Sequence, residues 1–353
     1  MTDKIVTMVQ PTESRPPDLL DKRSRPLRDL RISVMDRCNF RCPYCMPEDK
    51  YHKDFQFLKS TERLSFEEIL RLAHIFSGLG VHKLRLTGGE PLLRPGIADL
   101  VGDLSRVPGI EDVALTTNGI LLAQHAAALK AAGLSRVTVS LDSLNEEVFL
   151  MMSGGRGSTG QVLEGIAAAL TAGLTPIKVN AVVKRGVNEH TVVDLVERFR
   201  GTGVIVRFIE YMDVGTINHW KRSDCVPSRE LLAMIGARWP LTAVKANYHG
   251  EVAERYQFDD GIGEVGFISS VSEPFCGSCT RARLSSDGQL FTCLFASKGT
   301  DLRNPLRAGA SDDELRALLS SVWGAREDRY SELRASQRKD DKDGKVEMYY
   351  IGG

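Results

Sequence analysis

Six short runs of β-type apolar patterning recur along the first two-thirds of the chain, at residues 30–35, 83–87, 112–116, 136–141, 178–183 and 204–210, each bounded by charge or glycine. They predict strands. The stretches between them have helical period. In the first, over 65–79, Phe66, Ile69, Leu70, Leu72 and Phe76 return at helical spacing, Ser65 stands at the N-cap and Glu68 completes a capping box. Strand and helix alternating six times predict an α/β fold with a parallel sheet and right-handed crossovers, and leave open whether the sheet curls into a barrel. Near residue 236 the rhythm changes to glycine-rich β-like runs. A helical pattern at 312–323 follows, then a charged stretch at 334–345 with the composition of a loop or disordered segment. The expected organisation is a flexible leader over 1–27, an α/β unit over 28–235 and a C-terminal region over 236–353.

Composition adds limits. With 353 residues, of which 42% are hydrophobic, the chain can bury a substantial core. Lys and Arg balance Asp and Glu at 46 each, so no general affinity for polyanions is implied. No apolar run approaches a membrane span, and the proline-bearing polar N-terminus lacks a signal-peptide stretch, so a cytoplasmic protein is expected.

Six of the seven cysteines form two triplets, Cys38, Cys42 and Cys45 near one end and Cys276, Cys279 and Cys293 near the other; Cys225 is expected to be a packing residue. A structural zinc site usually closes with four protein ligands, whereas three thiolates on a four-iron cluster leave one iron open to bind a small molecule. Buried core cysteines, or zinc with a fourth His or Asp ligand, are the alternatives. Ligands of parallel α/β folds bind outside the carboxyl ends of the strands. There the sequence offers Cys38-Asn39-Phe40-Arg41-Cys42-Pro43-Tyr44-Cys45, Gly88-Gly89-Glu90-Pro91, Thr116-Thr117-Asn118-Gly119, Ser140-Leu141-Asp142 and Glu210-Tyr211-Met212. The two glycines are expected to expose backbone amides and carbonyls to a ligand. Taken singly, each short motif is also an ordinary turn or cap. Arg31, Lys83, Arg85, Lys178 and Arg207 are expected at the barrel mouth. Arg281 and Arg283 follow Cys279 with Ala282 between them, so an extended run would point both the same way.

The CxxxCxxC loop followed by GGEP resembles the radical S-adenosylmethionine superfamily. The runs 31–34, 83–94 and 207–212, the C-terminal CxxC with a third cysteine beyond it and the Gly-Gly terminus further resemble its GTP 3′,8-cyclase family, which opens molybdenum cofactor biosynthesis. That resemblance implies an incomplete six-unit (β/α) TIM-like barrel with a C-terminal extension. It implies two 4Fe–4S clusters, on Cys38, Cys42 and Cys45 and on Cys276, Cys279 and Cys293. Tyr44, Gly89, Ser140 and Met212 would contact S-adenosylmethionine. Arg31, Lys83, Arg85, Thr116, Lys178, Arg207, Arg281, Ala282 and Arg283 would contact GTP, and Arg281, Arg283, Gly352 and Gly353 would serve catalysis. A 5′-deoxyadenosyl radical would take the ribose 3′ hydrogen before C3′ attacks guanine C8. The expected partners are a flavodoxin- or ferredoxin-type electron donor and a downstream cyclic pyranopterin monophosphate synthase, with no membrane and no nucleic acid, in a monomer or homodimer. A peptide-modifying radical enzyme and a zinc-stabilised nucleic-acid module are the competing classes; the small C-terminal cysteine count and the zero net charge weigh against them.

Overall fold

The computed structural model describes residues 18–337 and 344–352; the expected leader up to residue 17, residues 338–343 of the charged stretch and Gly353 lie outside them. Six strands alternate with helices as the pattern predicts: β1 (Asp29–Ser33), α1 (Phe66–Ser77), β2 (Lys83–Thr87), α2 (Ile97–Ser105), β3 (Asp112–Thr117) and α3 (Leu122–Ala131). There follow β4 (Arg136–Ser140), α4 (Glu146–Ser153), α5 (Thr159–Thr171), β5 (Lys178–Val183), α6 (Val192–Phe199) and β6 (Ile205–Glu210). The capping box on α1 forms, with the Ser65 side chain accepting from Glu68 N and Glu68 accepting from Ser65 N.

Beyond α7 (Ser228–Gly236) the chain does not build a separate layer. It adds β7 (Leu241–Val244), β8 (Glu254–Phe258), β9 (Glu264–Ile268), β10 (Arg281–Leu284), β11 (Gln289–Phe291) and β12 (Thr300–Asp301) to both edges of one sheet, in the order β12-β11-β10-β1-β2-β3-β4-β5-β6-β9-β8-β7. β10 lies parallel to β1 and β9 parallel to β6, so the parallel run extends past the first six strands before antiparallel hairpins end it. The helices α8 (Arg303–Arg307), α9 (Asp312–Gly324), α10 (Tyr330–Gln337) and α11 (Met348–Ile351) complete the described chain.

Two expectations change. Residues 18–27 belong to the packed body: Asp21, Arg25 and Leu27 are buried and Leu20 bridges Pro26, because Arg25 finds a carboxylate and two carbonyls inside. Arg334, expected in a loop, sits buried on α10, where Nε donates to Asp213 Oδ1 at 2.8 Å and Nη1 to the Ser270 carbonyl at 2.9 Å. Charge made both segments look unpackable, yet each cation has a buried partner.

The sheet is apolar toward its helices and polar toward its axis. Leu30, Ile32, Leu84, Leu86, Val113, Leu115, Val137, Val139, Val179, Ala181, Val206 and Phe208 join the main core. The alternate residues, among them Arg31, Lys83, Arg85, Thr116, Arg136, Thr138, Asn180 and Arg207, line a central cavity of about 340 Å³. Barrel interiors of this kind are normally filled by branched apolar side chains; here alternation leaves a charged bore.

Candidate active site

The Cys38–Cys45 loop leaves β1 at the carboxyl end of the sheet and is held by backbone contacts. Gly89 N donates to Met35 O at 2.7 Å and Glu90 N to Arg37 O at 2.8 Å, so the Gly89 amide is engaged and only its carbonyl remains for a ligand. This corrects the expectation of an exposed amide at Gly89. The glycines are needed because a Cβ on Gly88 would meet Met35 O at 2.4 Å and one on Gly89 would meet Arg37 O at 2.3 Å. On the opposite flank Gly154, at φ 71°, lets Arg41 O approach to 2.2 Å of where a Cβ would stand.

Buried carboxylates pin the other loops. Glu90 accepts from Thr117 Oγ1 at 2.7 Å, Asn118 N at 2.8 Å and Leu92 N at 3.0 Å, and burial still pushes its carboxyl up to about 7. Asp142 accepts from Tyr44 Oη at 2.8 Å and from Val182 N at 2.8 Å, which ties the cysteine loop to the ends of β4 and β5; burial raises this carboxyl to about 6. Tyr44, Gly89, Ser140 and Met212 all border the cavity at this end.

The first triplet is held as thiols with little tendency to ionise. Burial first and then Glu90 push Cys38 up to about 12, and burial with the neighbouring Cys45 and Cys38 holds Cys42 well above the ordinary range. Such thiols ionise when a bound cation replaces their protons. Among the described residues no group of three or more His, Cys, Asp or Glu side chains is gathered as a single bound metal ion requires. The donors suit a polynuclear iron–sulfur cluster, whose thiolates bind different irons. At the second triplet, burial raises the Cys279 thiol but Arg281 and Arg326 outweigh it and hold it down at about 6, while burial and then Asp328 push Cys293 up to about 12.

The cations lie inside the bore, not at its mouth. Lys83 and Lys178 open their strands at the amino ends, and the register places Arg283, Arg31 and Arg85 level on β10, β1 and β2, followed by Ala114 and then Arg136. Packed this closely, they repel one another. Burial, and then Arg283, Arg281 and Arg85, pull Arg31 well down, and burial followed by Arg85 lowers Arg207 to about 10. Lys178 falls to about 7 through burial and then Arg207, Arg136 and Arg85. Arg85 Nη1 donates to Thr116 Oγ1 at 3.1 Å and Thr138 Oγ1 at 3.2 Å. Arg281 and Arg283 line the cavity, but the Ala282 side chain points into the core and can reach a ligand only through its backbone.

The C-terminal segment returns to this site. Tyr349 packs on Tyr51 with ring centroids 4.8 Å apart, Met348 and Tyr349 line the cavity, and Arg283 Nη1 donates to the Gly352 carbonyl. A Cβ on Gly352 would collide with Thr87 Oγ1. Cys225 lies in a small separate cluster with Tyr211, Trp220 and Val271.

Sequence reasoning missed several wall residues. Arg136 pairs with Asp112, and its Nε is buried without a partner. Its position two before Thr138 on an inward-facing alternation was the available signal. Tyr248 and Glu251 reach the bore from the loop between β7 and β8, where Lys83 Nζ lies 3.1 Å from the Tyr248 ring centroid; no periodic pattern marks them.

Residues 32–199 match the Radical SAM superfamily model, and residues 204–332 match the model described as Molybdenum Cofactor Synthesis C. A GTP 3′,8-cyclase from Xanthomonas axonopodis pv. citri is 56% identical over 94% of this chain and 98% of its own length. One from Acidothermus cellulolyticus is 49% identical over 94% of this chain and 98% of its own. Among solved structures, Streptococcus suis SuiB bound to S-adenosylmethionine superposes with a TM-score of 0.54 at 16% identity, covering 83% of this chain and 68% of that one, a likeness of fold. No helix among the described residues is long and apolar enough to cross a membrane.

Proposed function

The chain belongs to the GTP 3′,8-cyclase family of the radical S-adenosylmethionine superfamily, and from that membership we propose that it converts GTP to (8S)-3′,8-cyclo-7,8-dihydroguanosine 5′-triphosphate, the opening step of molybdenum cofactor biosynthesis. The observation that carries the reading is the cation-lined bore with a cysteine triplet on each of two parts of its wall. Cys38, Cys42 and Cys45 would hold a 4Fe–4S cluster, and Cys276, Cys279 and Cys293 a second. Bound, these cofactors would supply one-electron cleavage of S-adenosylmethionine and removal of the ribose 3′ hydrogen as 5′-deoxyadenosine; C3′ would then bond to guanine C8, and the nitrogen-centred radical so formed would take up a second electron from the donor and a proton.

The chain's own residues bind, orient and exclude water. The Tyr44–Asp142 hydrogen bond and the Gly89 amide fix the cysteine loop, leaving the Gly89 carbonyl to accept from the amino group of S-adenosylmethionine, with Ser140 and Met212 bordering the same end. Arg31, Lys83, Arg85, Lys178 and Arg207 neutralise the triphosphate, whose charge relieves the repulsion they suffer without it. Thr116 hydrogen-bonds the substrate. Arg281 and Arg283, alternating on β10, stand between the second triplet and Gly352, where the tail carbonyl holds the Arg283 fork in place. Gly353, outside the described residues, would serve catalysis with Gly352.

None of the seven cysteines forms a disulfide, which suits a reducing cytoplasm, and the electron donor would be of flavodoxin or ferredoxin type. The product would pass to a cyclic pyranopterin monophosphate synthase, and the enzyme works as a monomer or homodimer. Equilibrium binding to the anaerobically reconstituted protein tests the substrate: GTP should bind more tightly than ATP and than guanosine. Equal affinity for ATP and GTP would remove the role of guanine.

A further inference from the structure

The second cysteine triplet is enclosed by buried guanidiniums with more N–H groups than their neighbours accept. Arg25 is 2% exposed; Nε donates to Asp21 Oδ2 at 2.6 Å, and Nη1 donates to the carbonyls of Cys276 at 2.9 Å and Asp328 at 2.6 Å. Arg326 Nη1 donates to the Cys279 carbonyl at 2.9 Å and to the same Asp21 oxygen at 3.3 Å. Two guanidiniums therefore share one fully buried carboxylate. A third, Arg281, donates from Nη2 to Cys279 Sγ at 3.3 Å. Asp328 Oδ2 is 3.4 Å from Arg326 Nε, out of hydrogen-bonding geometry, and accepts instead from Thr292 Oγ1 at 2.5 Å.

Two N–H groups are left over. Arg25 Nη2 and Arg326 Nε are buried with no hydrogen-bond partner, and both residues line the cavity wall that carries Cys276, Cys279 and Cys293. A buried donor without an acceptor costs about 1–3 kcal/mol, more when charged. A second anionic acceptor set would satisfy both. The first triplet has no such surplus: Arg41 spends its donors on the carbonyls of Tyr51, Cys38 and Phe40, and Cys38 Sγ accepts from the neutral Phe40 N at 3.4 Å and Asn118 Nδ2 at 3.8 Å.

We infer that Arg25 and Arg326 aim their spare N–H groups at the anionic, sulfur-rich group held by Cys276, Cys279 and Cys293, and that, with Asp21 opposing them, they set its reduction potential. The inference rests on the reading of a second cluster. Nearby positive charge and N–H donors to sulfur stabilise the reduced form, which carries one more negative charge, and so raise the potential. Arg25 and Arg326 are thus positioning residues that act through the cluster.

The test is an EPR-monitored redox titration of the reconstituted protein, with and without S-adenosylmethionine to mark the first cluster's signal. Arg25→Gln and Arg326→Gln should each lower the midpoint of the signal insensitive to S-adenosylmethionine. Asp21→Asn should raise it, and the first cluster's midpoint should stay unchanged in all three. A merely structural role predicts damage of one sense in every variant, so shifts in the same direction, or none, overturn the inference. If Arg25→Gln fails to fold, Arg25→Lys, which keeps the charge, should retain a midpoint nearer the parent's than Arg326→Gln does, and a midpoint equal to that of Arg326→Gln would refute it. Iron for one cluster only in the parent protein would instead refute the second-cluster reading, a separate outcome.

Discussion

GTP binding should draw a proton into the bore, and Lys178 is the group that takes it. Lys178 is 9% exposed, and burial, then Arg207, Arg136 and Arg85, lower its ammonium to about 7, with Glu251 pulling the other way. At pH 8 a group with that value is about nine-tenths neutral. A triphosphate beside it favours the charged form and returns it toward the ordinary lysine value of about 10.4. Binding at pH 8, where the triphosphate is itself fully ionised, should therefore take up about 0.9 proton, and the Kd should rise about tenfold for each pH unit above 7. Calorimetry of GTP binding in HEPES and in Tris, which differ in ionisation enthalpy, measures the uptake. Lys178→Met should abolish it. An uptake near zero in the parent protein, or an equal uptake in Lys178→Met, would show that Lys178 is not the coupled group.

Arg136→Gln removes a guanidinium whose Nε has no partner in the bore, and a charge-assisted bond of about 1.5–3 kcal/mol predicts a roughly 10- to 100-fold weaker Kd for GTP. Guanosine binding should change little; equal losses for both would indicate a collapsed bore. Tyr44→Phe leaves the buried Asp142 carboxylate with one donor fewer and should lower unfolding stability by about 1–3 kcal/mol in denaturant titrations and weaken S-adenosylmethionine binding. Gly154→Ala should lose iron on reconstitution, because its Cβ cannot coexist with Arg41 O. Gly155→Ala has a similar φ of 75° but open space around it, and should cost only the backbone strain of about 1–2 kcal/mol.

What the sequence disclosed follows from periodicity. On β1 to β6 apolar residues facing the helices alternate with largely polar residues facing the axis, whereas Arg31, Arg85, Thr116 and Arg207 were singled out through the family resemblance. The cysteine triplets and the GGEP loop were legible because their residue types have few other uses at that spacing. Their contacts were not: Gly89 turned out to serve backbone packing against Arg37 as much as any ligand. Strands β7 to β12 are short, and the two that join them to the sheet pair with distant neighbours, β10 with β1 and β9 with β6, a pairing no local pattern announces. Arg25 was hidden for the opposite reason. Its segment is polar enough to read as leader, and only the three-dimensional meeting with Asp21, Cys276 and Asp328 explains its burial.

The central claim is tested most directly by anaerobic reconstitution followed by incubation with S-adenosylmethionine, dithionite and GTP, with 5′-deoxyadenosine and nucleotide products quantified by mass spectrometry. The account predicts 5′-deoxyadenosine together with a cyclised nucleotide of the same mass as GTP, formed only when GTP is present. Formation of 5′-deoxyadenosine with GTP recovered unchanged would contradict the cyclase assignment while leaving the cleavage chemistry standing.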